Sequence, residues 1–382
     1  PTSLDEELPA PGLSVRFLES FTDVTADVNK ALAKAKTSED KEKAMTKLQN
    51  KLAKKAGCDG KFIVGGINSF YGGNTYYFIV YKVFRDVRFV GAPPQSIGKF
   101  GADTDNWMWP RHTGDFSIFR VYADQNNNPA EYSEDNVPYT PKQYLKVSIA
   151  GYEEGSPAMI MGYPGSTNRF MTASELRETT EKNEAAIKVR TLRQDVLMAD
   201  MEADPKIMLQ YASKYAGSSN GWKKWIGMNE TFAKLGVEAR RAAEEQAFTE
   251  WVNAGGEERI ARYGKALENI NAAVEGRKAD YILMTYINES VGRIELVSAA
   301  ANAKRITDAL AAEDPAEKEE QLAGVSRRLE SFYEDYSMPT DKKVAVAMIQ
   351  LLKESIPADQ LPSFYKDIDS RFGGDISAYV RG

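Results

Sequence analysis

The chain has 382 residues, 42% of them hydrophobic, with 55 acidic against 49 basic side chains and a formal net charge of -6. Roughly two or three domains of about 150 residues fit that length, and the acidic balance offers no source for the broad attraction that drives phosphate-backbone binding, so nucleic acid is excluded as a partner. No apolar run approaches the roughly 20 residues needed to span a bilayer, and one cysteine and one histidine leave no disulfide framework and no multi-ligand zinc signature.

The start, Pro1-Thr2-Ser3-Leu4-Asp5-Glu6-Glu7, is neither a methionine start nor a signal peptide, so a piece of a longer protein is expected. From about Thr22 to Ala56 the pattern predicts two short solvated helices. Val28, Ala31, Leu32 and Ala35, then Met45, Leu48 and Leu52, recur at helical spacing among lysines, and Gly57 closes the run. Cys58 just after it reads as a small buried apolar residue near a helix end.

The next hundred residues change character. Lys61 to Val64 and Thr75 to Phe84 are rich in β-branched and aromatic residues and are bounded by the glycine pairs Gly65-Gly66 and Gly72-Gly73, which predicts strands joined by turns. Asp115 to Tyr122, Leu145 to Ile149 and Ala158 to Met161 are predicted as three more strands, with turns at Asn126-Asn127-Asn128-Pro129 and Gly162-Tyr163-Pro164-Gly165. Short strands at this spacing indicate an antiparallel barrel or sandwich.

After about Asn168 the strands stop, and Ala, Glu, Lys, Leu and Arg dominate to roughly Gly374. Val344, Met348, Leu351, Leu352 and Ile356 trace one helical face, with Thr340 and Asp341 as capping candidates before it. With no repeat of fixed period, these helices are expected to form an irregular bundle. The fold class is therefore α+β, divided into a β domain over residues 1–168, with short helices near 22–56, and an α-helical domain over 169–382.

Three motifs have ordinary readings. Gly217-Ser218-Ser219-Asn220-Gly221 matches a nucleophile elbow, but it lacks a preceding strand and a downstream histidine, so a loop between helices is predicted. Asp124 to Asn128 resembles the start of a calcium loop, but Pro129 stands where glycine is needed; a hairpin turn is predicted. Gly162 to Thr167 lacks the lysine of a phosphate loop.

The segment Gly101-Ala102-Asp103-Thr104-Asp105-Asn106-Trp107-Met108-Trp109-Pro110-Arg111-His112-Thr113-Gly114-Asp115-Phe116 concentrates two tryptophans, the single histidine and an aspartate at a strand entry. On physical grounds Asp115 is expected to be buried with hydrogen-bonded partners. Two roles fit it: an acceptor of backbone N–H bonds at a turn, with Trp107 and Trp109 as core anchors, or a carboxylate orienting a histidine supplied from elsewhere. His112 is expected to cap or hydrogen-bond within its own loop.

This segment resembles the one that carries the triad aspartate in the bacterial dipeptidyl-peptidase family of chymotrypsin-like serine peptidases, the dipeptidyl peptidase seven and eleven type. Asp86-Val87-Arg88-Phe89-Val90-Gly91-Ala92-Pro93-Pro94, Ser219-Asn220-Gly221-Trp222-Lys223 and Ile226-Gly227-Met228-Asn229 occur in the family's order, so the likeness extends along the chain.

The resemblance implies a partial chymotrypsin-like antiparallel β-barrel followed by a helical lid domain, in a chain that begins after the catalytic histidine and ends before the serine. Asp115 then matches the triad aspartate. Asn106 and Trp107 match the residues that recognise a substrate amine, and Asn220 matches the asparagine that the helical domain contributes, with a helix cap as its alternative role.

By the same resemblance, the activity expected is that of a serine exopeptidase releasing dipeptides from polypeptides with a free N-terminus. It needs no cofactor or metal, is periplasmic or secreted, and leans to Asp or Glu at the second substrate residue. The isolated chain, without the triad histidine and serine, is expected to be inactive and to self-associate as a homodimer through unpaired strand edges. The rival reading is a non-catalytic binding or scaffold module.

Overall fold

In the computed structural model of the chain, residues 3–162, 165, 168–312 and 314–382 are described. They fall into two units: residues 1–101 with 112–160, and residues 102–111 with 161–382. The first is mainly antiparallel sheet and the second is helical, a mixed architecture as the strand-then-helix order predicts.

The β unit runs β1 (Leu8–Pro9), β2 (Val15–Asp23), α1 (Thr25–Leu32), α2 (Ser38–Lys55), β3 (Ile63–Phe70), β4 (Thr75–Phe84), β5 (Asp86–Gly91), α3 (Gln95–Gly98), β6 (Ile118–Ala123) and β7 (Val137–Pro138). Two antiparallel sheets result, in strand orders β2-β4-β3 and β1-β5-β6-β7. Phe78 and Val80, two residues apart on one face of β4, pack with Val24 and Val28 and with Leu32, Met45, Leu48 and Leu52 of the two predicted helices, as strand alternation and helical spacing require.

Helix α2 opens on a capping box between Thr37 and Asp40. It closes where Gly57, at φ 70°, lets the Cys58 N–H reach back to the Ala53 carbonyl. Cys58 packs against the same core, and burial raises its thiol pKa. Phe84, Phe17 and Tyr139 form an aromatic cluster.

Four strand predictions need correction. Gly65 and Gly66 do not form a turn but continue β3, opposite Val80 and Ile79 of β4. Leu145–Ile149 and Ala158–Met161 are not strands. Leu145, Val147 and Ile149 alternate as a strand would, but they are 75%, 94% and 101% exposed, and among the described residues no neighbouring strand pairs with them. β6 starts three residues later than expected because its ladder with β5 ends at the Gly91–Ile118 pair. The predicted turn after β6 is present: one Asp124 carboxylate oxygen accepts the N–H groups of Asn126 and Asn128 at 2.9 and 2.7 Å, and Asn127 takes φ 65°. The turn predicted at Gly162 to Gly165 lies partly outside the described residues.

The helical unit contains α4 (Ala173–Ala203), α5 (Pro205–Lys234), α6 (Val237–Asn253), α7 (Gly256–Tyr263), α8 (Ala266–Glu289), α9 (Glu295–Leu310), α10 (Pro315–Glu334), α11 (Met338–Ser355), α12 (Phe364–Phe372) and α13 (Ile376–Arg381). Its core joins Val189 and Leu197 of α4, Tyr211 of α5, the predicted face Val344, Met348, Leu351, Leu352 and Ile356, and Tyr365 and Ile368 of α12.

Asp341 does not cap its own helix. Its carboxylate accepts the backbone N–H groups of Glu295 and Leu296 at 2.8 and 3.0 Å, satisfying donors at the start of α9 that have no intrahelical partner. Gly217-Ser218-Ser219-Asn220-Gly221 is not a loop between helices but lies inside the 30-residue α5.

Candidate functional site

The loop Ala102–Arg111 belongs to the helical unit, and α5 supplies the residues that hold it. Ser219, Asn220 and Lys223 stand at helical positions i, i+1 and i+4, on one side of α5. The Ser219 hydroxyl lies 2.9 and 3.1 Å from the two carboxylate oxygens of Asp103. Lys223 Nζ donates to the Asp103 and Thr104 carbonyls. These contacts fix the start of the loop.

They also place Asn106 and Trp107 on Asn220. Asn106 Nδ2 donates to Asn220 Oδ1 at 3.1 Å. Trp107 Nε1 donates to Asn220 Oδ1 at 2.9 Å and to its backbone carbonyl at 3.0 Å. Trp107 adopts φ 62°, a left-handed conformation that costs a non-glycine residue about 1–3 kcal/mol and that the indole hydrogen bonds offset. Lys224 Nζ stands 5.8 Å from the Trp107 ring centroid. The three residues expected to recognise an amine are thus in one hydrogen-bonded cluster.

The cluster has a defined polarity. With Asn106 Nδ2 committed to Asn220, its Oδ1 has no partner among the described residues and is an acceptor ready for an N–H donor. Asn220 is not a helix cap, since it lies mid-helix. Ser219 is only 1% exposed and bonds to Asp103, so it has neither the strand-to-helix turn nor the exposure of an elbow nucleophile. Trp107 and Trp109 are 54% and 89% exposed and do not serve as core anchors.

Behind the cluster, Gly221 allows an arginine to approach α5. A Cβ on Gly221 would stand 2.5 Å from Arg190 Nη1. That guanidinium donates to the Ser218 carbonyl at 2.8 Å, pairs with both Glu289 carboxylate oxygens at 2.9 and 3.0 Å, and lies 4.4 Å from the Trp225 ring centroid.

Asp115 and His112 belong to the β unit. Gly114 permits the close packing that its position suggests: its N–H donates to the Ile97 carbonyl at 3.1 Å, and a Cβ would stand 2.9 Å from Ile97 Cγ2. The expected burial of Asp115 is corrected, since the residue is exposed. It precedes the first β5–β6 pair, so no strand covers it, and Phe116 and Ile118 beside it are 58% and 53% exposed. His112 is also exposed, and its ring makes no hydrogen bond to the described residues of its loop, contrary to the capping role expected of it.

Sequence reasoning does not assign Asp103 and Lys223, which anchor the loop. The spacing of Lys223 from Ser219 and Asn220 on one helix is the available signal.

The chain thus combines a mainly antiparallel β unit with a helical unit that holds the hydrogen-bonded cluster of Asn106, Trp107 and Asn220. The family model for peptidase S46 matches residues 1–382, and the chain belongs to that family. It is 42% identical over 378 residues to dipeptidyl-peptidase 7 of Porphyromonas endodontalis, across 98% of this chain and 45% of that protein. It is also 42% identical over 386 residues to the Asp/Glu-specific dipeptidyl-peptidase of the same species, across 99% of this chain and 53% of that protein. The crystal structure of Porphyromonas endodontalis DPP11 in complex with the dipeptide Arg-Glu matches with a TM-score of 0.83 at 42% identity, covering 99% of this chain and 55% of that one. The chain spans about half the length of the curated relatives it matches.

Proposed function

We propose that this chain is part of a serine dipeptidyl-peptidase that removes dipeptides from the free N-terminus of polypeptides, with Asp or Glu at the second position. Its sheets form part of a chymotrypsin-like barrel, and its helical unit covers the substrate cleft. Asp115 orients a histidine supplied by the rest of the protein, fixing its tautomer and stabilising the imidazolium that forms when a serine attacks the scissile carbonyl. The chain alone turns over no peptide, because Asp115 neither attacks a carbonyl nor accepts the serine proton. Export to the periplasm or beyond and a homodimeric assembly complete the proposal.

The observation that carries this reading is the cluster of Asn106, Trp107 and Asn220. A buried ammonium without partners costs several kcal/mol, and the unpartnered Asn106 Oδ1 is a neutral acceptor for it. Exposure of Asp115 is compatible with a partner group from elsewhere and does not fit a purely structural buried carboxylate. One relative, solved with both Arg-Glu and Arg-Asp dipeptides, supports the preference for acidic side chains.

The test compares free and N-acetylated dipeptidyl fluorogenic substrates in the full-length protein. Asn106→Ala should lower kcat/KM on the free amine by about 10- to 100-fold, the range of a hydrogen bond to a charged group, and narrow the ratio between the two substrates. An unchanged ratio refutes the amine site.

A further inference from the structure

Within the helical unit, α4, α5, α9, α10 and α11 line a solvent-open cavity of about 600 Å³, within the range of small-molecule sites. Its walls carry six cations: Arg190, Arg193, Lys214, Arg293, Arg305 and Arg328. The two carboxylates that line it are already engaged. Glu295 is paired with Lys214 at 2.6 Å, and Asp341 accepts the first N–H groups of α9. Glu289, packed against Arg190, is held by that guanidinium through two hydrogen bonds.

Four arginines remain without a carboxylate in hydrogen-bonding contact. Arg193, with its side chain 8% exposed, donates to the Glu289 carbonyl and the Ser218 hydroxyl at 2.6 and 3.1 Å, and the Glu289 carboxylate is 3.8 Å away. Arg305 donates to Asn302 Oδ1 at 2.7 Å. The guanidinium groups of Arg293 and Arg328 have no hydrogen-bond or ion-pair partner among the described residues.

Like charges gathered around one cavity repel, and an anion placed among them converts that repulsion into attraction. Guanidinium groups present paired N–H donors that match the oxygens of carboxylates and phosphates. Leu197, Phe332 and Val344 add apolar wall, so a ligand with a carbon skeleton is accommodated as well as its charged groups.

We infer that this cavity is a binding site for a small polyanion, a molecule carrying two or more carboxylate or phosphate groups. Its occupancy would tie α4 and α5 to α9 and α10 and stabilise the helical unit by mass action. The site is independent of the proposed peptidase chemistry, because none of its residues is assigned to amine recognition or to the triad.

Calorimetric titration and thermal melting of the full chain at physiological salt test this, with citrate as the carboxylate probe and pyrophosphate as the phosphate probe. Saturable binding of either, accompanied by a raised Tm, is expected, and the probe that binds more tightly identifies the chemistry. Arg293→Gln or Arg328→Gln should weaken binding by about tenfold, as for one lost charge-assisted hydrogen bond. Both side chains are exposed and make no ion pair among the described residues; Arg328→Gln should melt as wild type without ligand, whereas Arg293→Gln also removes a charge that favours the Glu289 carboxylate, so its binding is compared at a temperature well below its own Tm. Arg371→Gln on α12, outside the cavity, is the control for nonspecific charge and should leave binding unchanged. No saturable binding of either probe at millimolar concentration overturns the inference, as does binding that neither cavity substitution weakens.

Discussion

The Ser219 hydroxyl and the Asp103 carboxylate, 116 residues apart in sequence, meet at 2.9 Å. Through this contact a helix anchors the loop whose next turn carries Asn106 and Trp107. Ser219→Ala should therefore loosen the loop without removing any reacting group. A loss of about 1 kcal/mol of stability is expected, as for one net hydrogen bond, and the full-length enzyme should show a raised KM with kcat largely kept. Complete loss of turnover in a folded Ser219→Ala protein would restore the elbow-nucleophile reading.

Asp115→Asn in the full-length protein should leave folding nearly intact, because the residue is exposed. Turnover should fall by about 10⁴, the magnitude of the handicap when a triad histidine is held in the wrong tautomer. Thermal melting together with kcat separates the two effects. Wild-type turnover would make Asp115 a bystander.

Asp341→Ala removes the acceptor for two N–H groups at the start of α9. A cost of about 1–2 kcal/mol is expected, the range for a lost helix cap. Hydrogen exchange should rise at the Glu295 and Leu296 amides more than in the first turn of α11. Equal exchange at both helix starts would show that the cap is energetically idle.

Glu289 sets an acid limit on the helical unit. Burial works against its charged form, but the hydrogen bonds and charge of Arg190, with the charges of Arg193 and Arg293, outweigh it and hold the carboxyl pKa below the ordinary 4.5. A depressed folded pKa contributes stability that is complete above the unfolded value and is lost as pH falls through the folded one. Denaturant unfolding monitored from about pH 7 to about pH 3 should thus show a shallower acid decline for Glu289→Gln than for wild type, although the variant starts less stable. Parallel declines would remove Glu289 as the titrating group.

Local pattern is readable wherever it coincides with packing. The helices of residues 25–55, β4 and the Val344–Ile356 face are all legible from spacing, because each buries the face that its sequence marks. The Gly217–Gly221 stretch misleads for the opposite reason. Glycine, serine and asparagine are weak helix formers, yet here their small size admits Arg190 against α5, and their polar groups bond to Asp103, Asn106, Trp107 and Arg193. Tertiary contact overrides propensity at that point.

Leu145, Val147 and Ile149 have the alternation of a strand but no partner strand among the described residues, and pairing is what alternation cannot encode. The β2 strand, Val15–Asp23, is invisible to pattern: only two of its nine residues are less than exposed, so it carries no clean inside–outside signal. Of the candidate site, the identities of Asn106, Trp107 and Asn220 are legible by resemblance, but the anchoring by Asp103 and Lys223 depends on a long-range meeting that spacing alone does not reveal.

The ten residues Ala102–Arg111 interrupt the β unit in sequence while belonging to the helical one. Recombination between S46 relatives is therefore constrained in a way that a single crossover near residue 161 would not respect. A chimaera that took its helices from one parent and its earlier chain from another would pair one parent's Asp103 and Trp107 with the other's α5. Functional exchange of the helical unit requires two extra junctions, so that this short insert travels with the helix that holds it.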